Sequence, residues 1–181
     1  MKETSAWQKL FGGRFDEIDR RVTTVLAREG MRLLRISVGV VFFWFGALKL
    51  FPGASPAAAL VSESWGFLEA WGILPMDLFM LLLGLWEMVI GLGFITGQFL
   101  RVVILLTALQ MVGAVSPVVL VPDAVWTSFP FVLTLEGQYI VKNGVLIAAA
   151  FVVGATVRGG GLAPEPAVEP REIDADLPEH R

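Results

Sequence analysis

Four apolar runs, at about 31–51, 76–96, 99–121 and 137–157, constrain this chain more than any other feature. Each has the length of about 20 residues that a helix needs to cross a ~30 Å hydrocarbon core. Within lipid, a segment must satisfy its own backbone donors and acceptors, so such runs become helices. The expected fold is an all-α membrane protein, a four-transmembrane-helix bundle. The composition agrees, with 55% hydrophobic and 17% charged residues, well outside the usual range for a soluble domain.

The segments outside the runs are patterned too. In 1–30, Trp7, Leu10, Phe11, Phe15, Ile18, Val22, Val25 and Leu26 recur every three or four positions, while Arg14, Asp16, Glu17, Asp19, Arg20 and Arg21 fill the opposite face. This predicts an amphipathic interfacial helix lying on the membrane, with docking on another polypeptide as the alternative reading. Gly12-Gly13 is a candidate break in it. Residues 1–30 have no apolar core of the secretory kind. "FPGASPAAA" offers small residues to a signal peptidase, but the apolar segment before it is long for that role. Residues 55–71 predict a short outer helix, with Ser55 as N-cap and Pro56 at the first helical position. "VPDAVWTSFPFVLTLEG" reads as a polar and aromatic loop, with Pro117 just before it as a kink in the third span. Residues 158–181, glycine-rich and then rich in Pro, Glu and Asp, predict a disordered acidic cytoplasmic tail.

Lysine and arginine placement orients the bundle. Arg28, Arg32 and Arg35 precede the first span, Arg101 lies after the second, and Arg158 follows the fourth. The two opposite loops carry Glu63, Glu69, Asp77 and Asp123 and no Lys or Arg. The positive-inside rule then places both termini in the cytoplasm.

That topology makes the buried charges informative. A charge at the centre of a span costs about 3 kcal/mol or more unless it is partnered. At 1.5 Å per residue, Lys142 lies roughly 8 Å and Glu87 roughly 16 Å below the outer surface. Lys49 and Glu136 stand near that surface. Pairing of Glu87 with Lys142 or with Lys49 resolves the cost, and a neutral, protonated Glu87 is the other resolution. Glu136, Tyr139 and Asn143 share one helical stripe, with Lys142 beside Tyr139, and Gln110 adds a polar group near the middle of span three. Trp86, like Trp44, lies deeper than an interfacial belt and is a candidate for packing or for stacking on a planar ring. Together, Glu87, Lys142, Asn143, Tyr139, Glu136, Lys49, Gln110 and Trp86 are the candidates for a polar pocket in the outer half of the membrane. A structural ion-pair network that fixes helix register is the competing reading.

Much chemistry is absent from the sequence. With no cysteine and only His180, the chain has no thiolate nucleophile, no iron–sulfur ligation and no multi-histidine haem or zinc site of its own. "GLGFITG" (91–97) mistimes the dinucleotide fingerprint and sits inside a span, so Gly93 and Gly97 read as a small-residue helix contact. The basic residues lie beside the bilayer among acids, which does not support nucleic-acid binding. Four spans without an evident repeat argue against a secondary transporter.

"LLRISVGVVFFWFGALKLFPG", "LLGLWEMVIGLGFITG", "SPVVLVP" and "FPFVLTLEGQYIVKNGVLIAAA" resemble, in that order, the DoxX-like superfamily of small four-helix bacterial membrane proteins, nearest its RclC (YkgB) branch. The resemblance covers about 31–157 and implies a polar set at Arg35, Lys49, Glu87, Lys142 and Asn143. RclC-like sequences carry an arginine just before a Lys–Asp pair, where this chain has Gln138-Tyr139 and then Lys142-Asn143. The implied function is a quinone- or lipid-binding subunit of a membrane redox or oxidative-stress system, with quinone as the candidate cofactor, no covalent or metal cofactor, and electrons supplied by a bound substrate or a partner. The alternative is a non-catalytic scaffold or accessory subunit. Expected partners are the bilayer, further copies of the chain or a larger membrane complex.

Overall fold

The structure is a computed structural model describing residues 4–157, with the side chains of residues 17–19 and 21–157. The expected acidic tail at 158–181 and the side chains of Trp7, Leu10, Phe11 and Phe15 lie outside the described residues. The elements, in order, are α1 (Thr4–Leu48), α2 (Ala58–Trp65), α3 (Phe67–Ala70), α4 (Met76–Thr96), α5 (Leu100–Val115), α6 (Pro117–Leu120), α7 (Pro122–Val125), β1 (Trp126–Ser128), β2 (Val132–Leu133) and α8 (Leu135–Ala155). Among the described residues, four helices are long and apolar enough to cross a membrane, within Glu17–Leu48, Met76–Thr96, Leu100–Leu120 and Leu135–Ala155.

Several boundaries depart from the sequence reading, each for a local reason. α1 runs unbroken through Gly12-Gly13 and ends at Leu48 rather than at 51. A helix spread over 45 residues tolerates isolated glycines, each costing only about 1 kcal/mol relative to alanine. The outer helix is two helices, divided at Gly66, and starts at Ala58. Ser55 does not cap it: Ala57 holds the N-cap position without a side-chain bond, and the Ser55 hydroxyl is buried without a partner. Span three breaks at Ser116, because Pro117 cannot donate a backbone hydrogen bond to the preceding turn. The loop after it folds into α7 and a two-stranded antiparallel hairpin, β1–β2, with a cis Phe129–Pro130 peptide at its turn. α8 starts at Leu135, two residues early, because the Thr134 hydroxyl accepts a hydrogen bond from the Gly137 N–H at 3.0 Å and fixes the N-cap.

The helices meet through glycine on one side and apolar side chains on the other. α1 and α4 make the most extensive contact in the bundle and run antiparallel. Gly39 and Gly46 on α1 face Gly91 and Gly84 on α4 so closely that a β-carbon at Gly91 would sit 2.5 Å from the Phe43 nitrogen. Close approach of this kind gives membrane helices the packing that water-driven burial cannot supply. Beyond this seam, Phe42 and Phe94 stack with centroids 6.3 Å apart, and Ile90, Val103, Ala150 and Val153 complete the core shared by α1, α4, α5 and α8.

Candidate functional site

The glycine seam determines which charges meet. Because α1 approaches α4 at Gly46 and Gly84, a β-carbon at Gly84 would lie 3.0 Å from the Lys49 Cβ, and one at Gly46 would lie 2.9 Å from the Glu87 Cβ. Lys49 is the first residue past α1, so its side chain swings across the helix end. Its Nζ donates to Glu87 Oε2 at 2.5 Å and to the Phe45 carbonyl at 3.4 Å. Gln110, from α5, donates through Nε2 to Glu87 Oε1 at 2.8 Å. Both Glu87 oxygens are thus engaged, by groups from two neighbouring helices. The Lys49 and Glu87 side chains keep only 6% and 10% exposure. Next to Glu87, the Trp86 indole N–H donates to the Leu106 carbonyl at 3.4 Å and links α4 to α5.

Of the two partners the sequence allowed for Glu87, the structure pairs it with Lys49 and not with Lys142. The physical reason is helical phase. α8 turns Lys142 to an exposed position on the outside of the bundle, where its Nζ lies 5.3 Å from the centre of the Tyr139 ring. This cation–π contact is its one described interaction. Tyr139 and Glu136 are also exposed, while Asn143 is half-buried and makes no side-chain hydrogen bond among the described residues. The eight candidates therefore divide into two groups. Lys49, Glu87, Gln110 and Trp86 lock together inside the bundle, and Glu136, Tyr139, Lys142 and Asn143 form a second group along α8. No single pocket gathers all eight.

A feature the sequence reading missed lies between α5 and α8. An apolar groove of about 460 Å³ is lined by Ile104, Thr107, Met111, Val115, Ile147 and Phe151, among others. Its hydroxyls are turned inward: Thr107 donates to the Val103 carbonyl and Ser116 to the Gly113 carbonyl, each at 2.7 Å. α5 and α8 run antiparallel, with Gly154 against Ile104. From that contact an equal rise of about 18 Å reaches Ser116 on α5 and Lys142 on α8. Asn143 follows the groove face of its helix, four residues before Ile147 and seven before Ala150. Asn143, which does not itself line the groove, stands one turn beyond its lining residue Ile147, towards the Ser116 end. In the sequence the groove's only trace was the absence of large aromatics on α5.

Arg35, one of the basic residues that orient the first span, also makes a specific contact. Its guanidinium lies directly against Gly97, which closes α4 in a left-handed conformation, so this position excludes any side chain. Gly97 is therefore a helix cap, and Gly93 packs on Val103; the two do not form one helix contact. Among the described residues, no group of three His, Asp or Glu side chains could hold a metal ion.

Comparison with known proteins adds one match. A family model described as DoxX covers residues 30–121, which hold Lys49, Glu87 and Gln110 and stop before α8. No curated protein and no solved structure matches the chain.

Proposed function

We propose that this chain, which belongs to the DoxX family of membrane proteins, binds a lipid-soluble amphiphile, a quinone or a lipid, in the groove between α5 and α8. The observation that carries this reading is the shape and chemistry of that groove. It is apolar along its length, and one turn beyond its lining residue Ile147 stands a half-buried amide, Asn143, that has no partner among the described residues. An isoprenoid or acyl tail suits the trough. A ring carbonyl or a headgroup oxygen suits the Asn143 amide, with the Lys142 ammonium alongside. Small-molecule sites combine an apolar wall with a few polar groups that fix orientation in this way.

The chemistry assigned to this chain is binding and positioning. Electrons for any quinone reduction come from a partner, and the protein belongs to a redox or oxidative-stress system as an integral subunit. Similarity of the span-four block to RclC-like sequences supports that branch. The arginines at the α4–α5 end support a bacterial inner membrane with both termini in the cytoplasm.

The test is mass spectrometry of the molecules that copurify with equal amounts of folded wild type, Ala108→Phe, Asn143→Leu and Glu87→Gln. Ala108 lines the groove, so the phenylalanine fills it. A quinone or one lipid class enriched in wild type, lost in Ala108→Phe, reduced in Asn143→Leu and kept in Glu87→Gln supports the reading. Equal, unspecific lipid in all four samples overturns it.

A second reading, a non-catalytic scaffold, draws on the state of Glu87. Both its oxygens are committed to Lys49 and Gln110. A carboxylate held in this way braces three helices and leaves no oxygen unengaged for a ligand.

A further inference from the structure

The N-terminal end of α8 carries a short hairpin whose apolar side chains the bundle leaves uncovered. Phe129, at the turn of β1–β2, is 77% exposed and Phe131 is 89% exposed, with Val132 exposed beside them. Phe129 meets the Trp126 ring edge-on, with centroids 5.4 Å apart. No charged residue occurs between Asp123 and Glu136. The hydroxyls of this stretch are those of Thr127, Ser128 and Thr134, and Thr134 turns inward to donate to the Ala124 carbonyl at 2.6 Å.

The attachment of the hairpin sets its height in the membrane. Gly137, in the first turn of α8, packs so closely on the Val125 carbonyl that no β-carbon would fit there. The same carbonyl accepts from the Thr134 N–H at 3.0 Å. Since the span begins at Leu135, Val125 stands level with its start. β1 follows at once, with three residues, and β2 has two. At about 3.3 Å per residue, the turn at Phe129 lies no more than about 13 Å from that level, whichever way the hairpin leans.

We infer that the hairpin lies in the leaflet at the N-terminal end of α8, with Phe129, Phe131 and Val132 seated at the boundary between headgroups and acyl chains. Three observations select lipid as the occupant. The base of the hairpin is level with the start of a span, so that boundary is within its reach. Strands that stand in water are protected by charge, and this hairpin has none. Aromatic and aliphatic side chains without nearby charge are instead the kind that enter the boundary between headgroups and acyl chains. Finally, the uncovered surface runs on into the span at Leu135, its first residue, which is 63% exposed. Hairpin and span thus meet one continuous apolar environment.

The absence of native cysteine makes the test direct. The full chain, carrying a single nitrobenzoxadiazole label at Phe131→Cys or Val132→Cys, is placed in lipid nanodiscs, where both faces are open to water. Both side chains are exposed, so the label displaces nothing in the bundle. A label at Glu63→Cys, exposed on α2, reports the aqueous side. At both hairpin positions, a nitroxide near the headgroup end of the acyl chain should quench the label strongly and one at the chain terminus less. Iodide should quench it severalfold less than at Glu63→Cys. Iodide quenching equal to that at Glu63→Cys would overturn the inference, since the hairpin would then stand in water. Shielding from iodide and from both nitroxides would overturn it too, because protein, such as a second copy, would then cover the hairpin. Stronger quenching from the chain terminus would refute the boundary position. These outcomes are independent of what the α5–α8 groove binds.

Discussion

At the scale of single residues, Glu87 and Asn143 represent two ways of placing polarity inside a bundle. Glu87 is fully answered, by Lys49 on one oxygen and Gln110 on the other. Removing one member of a buried ion pair typically costs about 3–5 kcal/mol, whereas replacing both by apolar groups of similar volume is often neutral. Lys49→Met and Glu87→Leu alone should each lower the thermal midpoint of the detergent-solubilised protein sharply, and the double variant should recover most of the loss. Gln110→Leu leaves one oxygen of a still-paired carboxylate unanswered, so its cost should be smaller, about 1–3 kcal/mol. Recovery in the double variant is the signature of a brace. A double variant as unstable as the worse single one would show that the pair does something apolar packing cannot replace. Asn143 differs in that no group among the described residues answers it, so Asn143→Leu should leave the thermal midpoint unchanged while it reduces copurifying ligand.

At the scale of the elements, the seam between α1 and α4 sets where everything else falls. A methyl group at Gly91 has nowhere to go, since its nearest neighbours are the backbone nitrogen of Phe43 and the carbonyl of Gly39, neither of which can rotate away. Gly91→Ala should therefore push the helices apart and weaken the Lys49–Glu87 contact. Gly113→Ala and Gly144→Ala meet open space, and each should be neutral or stabilising by about 0.5–1 kcal/mol. Thermal unfolding of the three variants separates these outcomes, and a Gly91→Ala protein as stable as Gly113→Ala would refute the seam. This seam also explains what was legible in advance. The apolar runs announced the four helices, because lipid leaves a chain few alternatives. The partner of Glu87 was harder to read, because depth arithmetic gives the height of a residue and not the side of the helix it faces. The clue was available in the equal spacing of Gly39 and Gly46 on one helix and Gly84 and Gly91 on the other, which sets Lys49 against Glu87. Gly93 and Gly97, whose spacing resembles a single helix contact, serve instead as a contact with α5 and a helix cap. The groove could not have been read in advance, since a gap between two helices depends on where their small side chains coincide.

At the scale of the whole molecule, the two ends of the bundle differ in charge. The α4–α5 turn and the adjoining part of α1 carry Arg32, Arg35 and Arg101. The opposite end, built from α2, α3, α7 and the β1–β2 hairpin, carries Glu63, Glu69, Asp77, Asp123 and Glu136. The same asymmetry fixes the location of each functional proposal. The Ser116 end of the α5–α8 groove lies towards the acidic end, and α1 continues past the bundle at the basic end. Orientation in the membrane therefore decides which compartment supplies the ligand. Because arginine is retained on the cytoplasmic side, Ala70→Cys, exposed at the acidic end, should react with an impermeant thiol reagent in intact spheroplasts. Gln98→Cys, exposed in the turn at the basic end, should react only after the membrane is opened. The reverse pattern would move the extension to the outer face and the groove mouth to the cytoplasmic one. The binding proposal would survive that reversal, with its compartment exchanged. Labelling of both positions in intact spheroplasts would contradict a bundle that crosses the membrane between them.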